Sequence, residues 1–148
     1  MFLALWLLAV AAVTTPHITV ATTASATTAK PGATVSLFVD VMPDAKIHVY
    51  APGAKDYLPI TVELTPASGL RAAKLKYPKA QILVVEGLKE QIPVYSAPFR
   101  LVQDVTIASS VKPGTTVNVS AVLKYQACDD AVCFKPVSAP VAWTLQVQ

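Results

Sequence analysis

Apolar and polar residues alternate with a period of two along much of the chain. Val35, Leu37, Val39 and Val41 share one side of a segment whose other side carries Ser36, Phe38 and Asp40. That repeat belongs to a strand with one face in a core and one toward solvent. It returns at Ile60, Val62 and Leu64, which alternate with Thr61, Glu63 and Thr65, and at Val117, Val119, Ala121, Leu123 and Tyr125. In the last segment Val141, Trp143, Leu145 and Val147 oppose Ala142, Thr144 and Gln146. Shorter strand-like runs occupy 17–21, 47–50, 82–85, 93–95 and 99–107, with a weaker one at 71–77. Turn signals separate them at Lys30-Pro31-Gly32, Pro43-Asp44, Pro52-Gly53, Gly87 and Lys112-Pro113-Gly114. Residues 22–29 read as an uncharged Thr/Ala connector. No helical period persists, so the pattern predicts an all-β, antiparallel β-sandwich. Its core should hold Val35, Leu37, Val39, Val117, Val119, Leu123, Trp143 and Leu145, with Phe99 also on a buried phase.

The beginning of the chain does not follow the alternation. Residues 2–13 are an unbroken apolar run, and no charged residue occurs before Lys30. As a helix the run would span roughly 18 Å, well short of the ~30 Å hydrocarbon core of a bilayer. It reads as a secretory leader over 1–16, a signal peptide or short anchor, with small residues around Ala9-Val10-Ala11 suited to cleavage. No Lys or Arg precedes the run, unlike a standard leader. The sandwich domain is then expected over 17–148, in a periplasmic or otherwise exported setting. A cysteine pair can cycle or persist as a disulfide there.

Composition narrows the partners. The net charge of +3 over 148 residues is mild and no Lys/Arg cluster is present, which argues against nucleic acid. Length fits one domain plus a leader, and a monomer is expected. Asn118-Val119-Ser120 matches a glycosylation acceptor but falls inside an expected strand.

The chemistry concentrates in Tyr125-Gln126-Ala127-Cys128-Asp129-Asp130-Ala131-Val132-Cys133-Phe134-Lys135-Pro136, which holds the only two cysteines, with four residues between them. A disulfide across so short a loop stabilises by roughly 2 kcal/mol in the chain-entropy model, against about 4.7 for a loop of a hundred residues. A tight local pair is also easily strained away from relaxed geometry, and strained or exposed disulfides are the labile ones. These considerations favour a redox pair over a staple, and leave a soft-metal clip as a third use. Asp129 and Asp130 have two readings: carboxylates that raise the pKa of a neighbouring thiol, or residues that favour a tight turn.

The cysteine segment resembles the cysteine-bearing hairpin in the periplasmic N-terminal domain of the bacterial transmembrane thiol:disulfide interchange protein DsbD. The resemblance extends to Ile47-His48-Val49-Tyr50-Ala51-Pro52, to Lys76-Tyr77-Pro78-Lys79-Ala80 and to Pro140-Val141-Ala142-Trp143. It implies an immunoglobulin-like sandwich whose cysteine pair relays electrons to periplasmic partners. It implies that Cys133 forms the mixed disulfide with a partner and that Cys128 resolves it. His48 and Tyr50 fall on the strand where the family places aromatic residues beside the pair, and Phe134 adjoins Cys133 in the motif. Residues 82–95 match the family's cap loop, but no aromatic residue marks its tip; Val84, Val85 and Leu88 are the nearest apolar candidates. The best-studied members space their cysteines one residue further apart.

Three functions are compatible with these readings. The first is periplasmic thiol–disulfide exchange through Cys128 and Cys133, an oxidoreductase activity with no cofactor beyond the cysteine pair. Its partners would be a thioredoxin-like or DsbD-type membrane reductase and disulfide-bearing proteins. Because the chain ends just after its final strand, these are expected as separate chains. The second is a non-catalytic immunoglobulin-like binding module with a structural disulfide. The third, ranked last, is Cu(I) binding by two thiolates with His48 or Met42. Zinc is disfavoured because structural sites usually need four ligands.

Overall fold

The alternating segments pair with one another over long registers. In the computed structural model, which describes residues 11–148, thirteen strands and no helix occur among the described residues. One sheet runs in the order β1 (Ala11–Thr15), β2 (Ile18–Ala24), β4 (Thr34–Pro43), β10 (Phe99–Ile107), β7 (Leu70–Ala72). The second runs β3 (Thr28–Ala29), β13 (Val137–Val147), β11 (Thr116–Tyr125), β6 (Thr61–Leu64). Every pairing between strands is antiparallel except the short β3–β13 contact. The architecture is the expected immunoglobulin-like antiparallel sandwich.

The inward phases of the two sheets make the core. Leu37, Val39, Leu101 and Val105 come from the first, and Val119, Leu123, Trp143 and Leu145 from the second. Burying each such side chain contributes about 1.5–3 kcal/mol. The Trp143 indole N–H donates to the Thr23 carbonyl at 2.9 Å, joining the two sheets by a polar contact as well.

A third, smaller sheet carries Cys128, and Cys133 bridges to it from the loop beyond. Its order is β12 (Ala127–Cys128), β5 (His48–Tyr50), β9 (Glu90–Tyr95), β8 (Gln81–Val85). Only Gln126 separates β11 from β12, so the chain leaves one sheet and enters the other almost without a break. The pairing slips by one residue between Tyr125↔Val137 and the bridge Cys128↔Cys133. Such a slip is a bulge, which bends a strand and re-aims the side chains beyond it. The Gln126 amide N–H on the Phe134 carbonyl, at 3.2 Å, spans this point.

Several sequence expectations shift. Val117 and Phe99 are only partly buried. Val117 lies one residue from the start of its strand, and Phe99 opens its strand with its ring stacked on Tyr95 at 4.1 Å. The 22–29 connector is partly strand, because β2 runs on to Ala24 and Thr28–Ala29 pairs with β13. The 71–77 run shortens to Leu70–Ala72, with Lys76 making a separate bridge to Val102. The first sheet also begins before residue 17. Ala11–Thr15 pairs with β2 through a turn in which His17 takes a left-handed φ of 66°. Uncharged Ala, Val and Thr residues suit that strand as well as they suit a leader. Residues 1–10 of the expected leader lie outside the described residues.

Candidate functional site

The β11–β13 ribbon ends in the cysteine loop. Cys128 and Cys133 face each other across this tip and are joined, with their Cα atoms 4.0 Å apart. The spacing is below the 4.4–6.8 Å usual for disulfides. The Phe134 N–H bonds the Ala127 carbonyl and the Asp129 N–H bonds the Val132 carbonyl, both at 2.9 Å. Those bonds flank the cysteines and make them a non-hydrogen-bonded antiparallel pair, the arrangement in which opposed Cα atoms come closest.

The two sulfurs differ in access. Cys128 is 1% exposed, packed with Tyr50, Ile92 and Val94, whereas Cys133 is exposed at the rim. Burial comes from the ladder: Cys128 pairs with His48 on β5, while Cys133 returns along the outer side of the loop. Of the two cysteines, Cys133 is the residue open to solvent.

Tyr50 touches both sulfurs. Its hydroxyl lies 3.2 Å from Cys128 Sγ and 3.3 Å from Cys133 Sγ. Neither disulfide sulfur carries a proton, so the tyrosine O–H is the donor. Burial, and then the neighbouring Tyr57, push the Tyr50 pKa above the ordinary phenol value. The hydroxyl therefore remains protonated throughout the neutral range.

His48 lines the same groove, buried, with its ring edge-on to Tyr50 at 5.6 Å. Burial lowers its pKa, against the opposing pull of Asp130 and Asp129. It stands opposite Cys128 in the ladder. A lowered pKa leaves it mostly neutral at neutral pH, which makes it a poor source of positive charge for a thiolate.

Asp129 is tied up in the turn: its Oδ1 accepts the N–H groups of Ala131 and Val132, each at 2.8 Å. This is the turn-forming reading of that residue. Asp130 is exposed on the groove wall. Phe134 is partly buried against the core and its ring stacks on His17 at 3.8 Å, fixing the base of the loop to the β1–β2 turn.

The two backbone bonds hold the Asp129 carboxyl below its ordinary value, with smaller help from His17 and His48. A depressed folded-state pKa contributes stability that is present above the unfolded value near 3.9 and is lost as pH falls through the folded one. Thermal melts from neutral pH to pH 2.5 should show a component of acid destabilisation that is missing in Asp129→Ala. Identical acid profiles for the two proteins would remove the turn bonds as its source.

The groove around the disulfide has a volume of about 310 Å³. Leu83, Val84 and Val85 of β8 form one wall and the cysteine loop another. The 82–95 segment is thus a strand–turn–strand hairpin, β8 to β9, standing beside the cysteines. An aromatic residue outside this hairpin also borders the groove. Tyr57, between β5 and β6, stacks on Tyr50 with ring centroids 4.3 Å apart and borders the groove. Sequence reasoning missed it, because a tyrosine between Asp56 and Leu58 in an irregular loop carries no strand phase. Met42, the other candidate copper ligand, lines a different hollow with Phe99 and Arg100.

A family model described as "Thiol:disulfide interchange protein DsbD, N-terminal" matches residues 15–142. The chain belongs to the DsbD N-terminal family. Among solved structures, it is similar to the reduced DsbD N-terminal domain of Neisseria meningitidis, with 19% identity, a TM-score of 0.50 and 80% of each chain covered. It is also similar to the N-terminal periplasmic domain of ScsB from Proteus mirabilis, at 14% identity and a TM-score of 0.57. That match covers 91% of this chain and 49% of the other. A search of curated proteins gave no match. At these identities the structural matches speak to fold. Membership of the DsbD N-terminal family, together with the disulfide, fits thiol–disulfide exchange. No helix among the described residues is long and apolar enough to cross a membrane.

Proposed function

We propose that this domain exchanges its Cys128–Cys133 disulfide with other proteins in the periplasm. It would relay electrons from a thioredoxin-like or DsbD-type membrane reductase to oxidised protein substrates. The observation that carries this reading is the unequal access of two bonded sulfurs, one buried and one at the rim.

Electrons enter through the exposed sulfur. A reductase thiolate attacks Cys133 Sγ, the Cys128–Cys133 bond breaks, and Cys128 leaves with the electron pair. The second thiolate of the reductase then attacks the mixed disulfide and releases Cys133. The domain gains two electrons and two protons while the reductase dithiol becomes a disulfide. Toward an oxidised substrate the same steps run in reverse, with Cys133 as attacking thiolate and Cys128 resolving.

The groove rim favours protein partners over small thiols. Val84 is 62% exposed and Val132 53%, both lining the groove, and Leu88 in the β8–β9 turn is 66% exposed. Exposed apolar side chains clustered around a reactive atom mark an interaction site. Val84→Lys should slow exchange with a thioredoxin by about tenfold, because it sets a charge into the apolar contact. Reduction by a small dithiol should stay within about twofold, because no docking is involved. Stopped-flow fluorescence with both reductants checks this, and equal slowing with both would remove the rim from the docking surface.

The reading as a whole is tested by the reduction potential, measured by equilibration against a defined dithiol buffer. An exchanging pair should lie above about −300 mV, and a structural disulfide below it. A value well below that limit would return the domain to the class of binding modules.

A further inference from the structure

We propose that Tyr57 is a positioning residue of the exchange site, holding the Tyr50 hydroxyl against the two sulfurs. The inference deepens the exchange reading and rests on it. Tyr50 reaches Cys128 and Cys133 from the end of a three-residue strand, so its ring has little regular structure beyond it. The chain continues into the 51–59 loop, and that loop is fastened to Tyr50 and its neighbours. The Ala51 N–H bonds the Pro93 carbonyl at 2.9 Å, and the Ile60 N–H returns to the Tyr50 carbonyl at 2.8 Å. Pro59 forms a bridge with Tyr50 itself.

Between these anchors Asp56 adopts a left-handed φ of 61°, a conformation uncommon for a residue with a side chain, though tolerated by Asp. The next ring, Tyr57, lies nearly parallel to Tyr50, at 23°. Its face covers one side of the Tyr50 ring, while His48 meets Tyr50 edge-on and Ile92, Val94 and Cys128 belong to the same packed cluster. A phenol that must reach two sulfurs at once tolerates little tilt, since site groups need placement within about 0.5 Å. Tyr57, which lines the groove together with Tyr50, restrains the tilt of the Tyr50 ring.

The contribution is of the size of one aromatic pair, so losing it should slow exchange by about threefold to tenfold. The experiment uses Tyr57→Ala, Tyr57→Leu and Tyr57→Phe, each alone and combined with Tyr50→Phe. Two quantities are read: the rate of exchange with a thioredoxin, and the pH midpoint of the Cys128 Cβ chemical shift in the reduced protein. Tyr57→Ala and Tyr57→Leu should slow exchange and raise the Cys128 midpoint, because a displaced hydroxyl no longer steadies the thiolate. Tyr57→Phe keeps the stacked ring and should restore both. In the Tyr50→Phe background the Tyr57 changes should have no further effect on either quantity, as for residues acting through one group.

Additive effects in that background would overturn the proposal, as would faster exchange in Tyr57→Ala, which would make the ring a cover only. An unchanged Cys128 midpoint in both Tyr57→Ala and Tyr57→Leu would also overturn it. The chemical-shift measurement needs no partner protein. If no variant, nor the parent, exchanges but the midpoint still moves as stated, the exchange reading fails while the coupling of Tyr57 to Tyr50 stands.

Discussion

Cys133→Ser is expected to abolish exchange and to leave no trapped complex, whereas Cys128→Ser should capture an oxidised partner and hold it. The asymmetry comes from access. With Cys133 gone, the remaining thiol is Cys128, which is 1% exposed beneath Tyr50. A partner disulfide cannot approach it in line. With Cys128 gone, the rim thiol of Cys133 still attacks, but no second thiol within the domain is left to break the mixed disulfide. Gel electrophoresis without reductant, after mixing each variant with an oxidised partner, separates the two outcomes.

Neither change should unfold the domain. The bridge closes a loop with a sequence separation of five, and its loss should cost only about 2 kcal/mol. The hairpin is independently held by the ten-residue β11–β13 register and by the two turn bonds to Asp129. Melting temperatures of both variants should therefore stay well above assay temperature. If both single variants exchange as fast as the parent, the cysteines have a structural role only.

The long strands were legible because their environment is simple. β4, β11 and β13 each have a dry face and a wet face, and Leu37, Leu123 and Leu145 fall on the dry one as the alternation requires. Short elements were less legible. Thr28–Ala29 is a strand only because β13 offers it a partner, and no local pattern records that. The site divides in the same way. Cys128, Cys133, His48 and Tyr50 meet because adjacent strands bring them together, and the matching motif pointed to all four. Tyr57 and His17 arrive from turns and loops, where contact depends on how the chain folds back and not on any period. Asp129 could be placed in the loop from sequence, but the choice between turn former and electrostatic neighbour needed its hydrogen bonds.

Tyr50→Phe should slow exchange by roughly tenfold to a hundredfold, the kinetic equivalent of one hydrogen bond to a charged group. The substitution removes only the hydroxyl, leaving a ring that can still stack on Tyr57 and pack on Ile92 and Val94. In the disulfide the hydroxyl is shared between two uncharged sulfurs, which are weak acceptors. Once the bond breaks, Cys128 carries the negative charge in a buried position, where an unpaired charge is costly. The same O–H, already 3.2 Å away, becomes a charge-assisted donor at the moment the charge appears. It therefore stabilises the transition state more than the ground state, which is what accelerates a reaction. His48 does not substitute for it, because burial favours its neutral form. The direction of the Tyr50 shift sets the pH dependence. Its pKa is raised by burial and by Tyr57, so the proton is present at every pH below the ordinary phenol value of about 10. The ratio of parent to Tyr50→Phe rates should then stay constant between pH 6 and pH 9, and rates measured with one thioredoxin across that interval test it. A ratio near one throughout would show that Cys128 leaves without help from this hydroxyl.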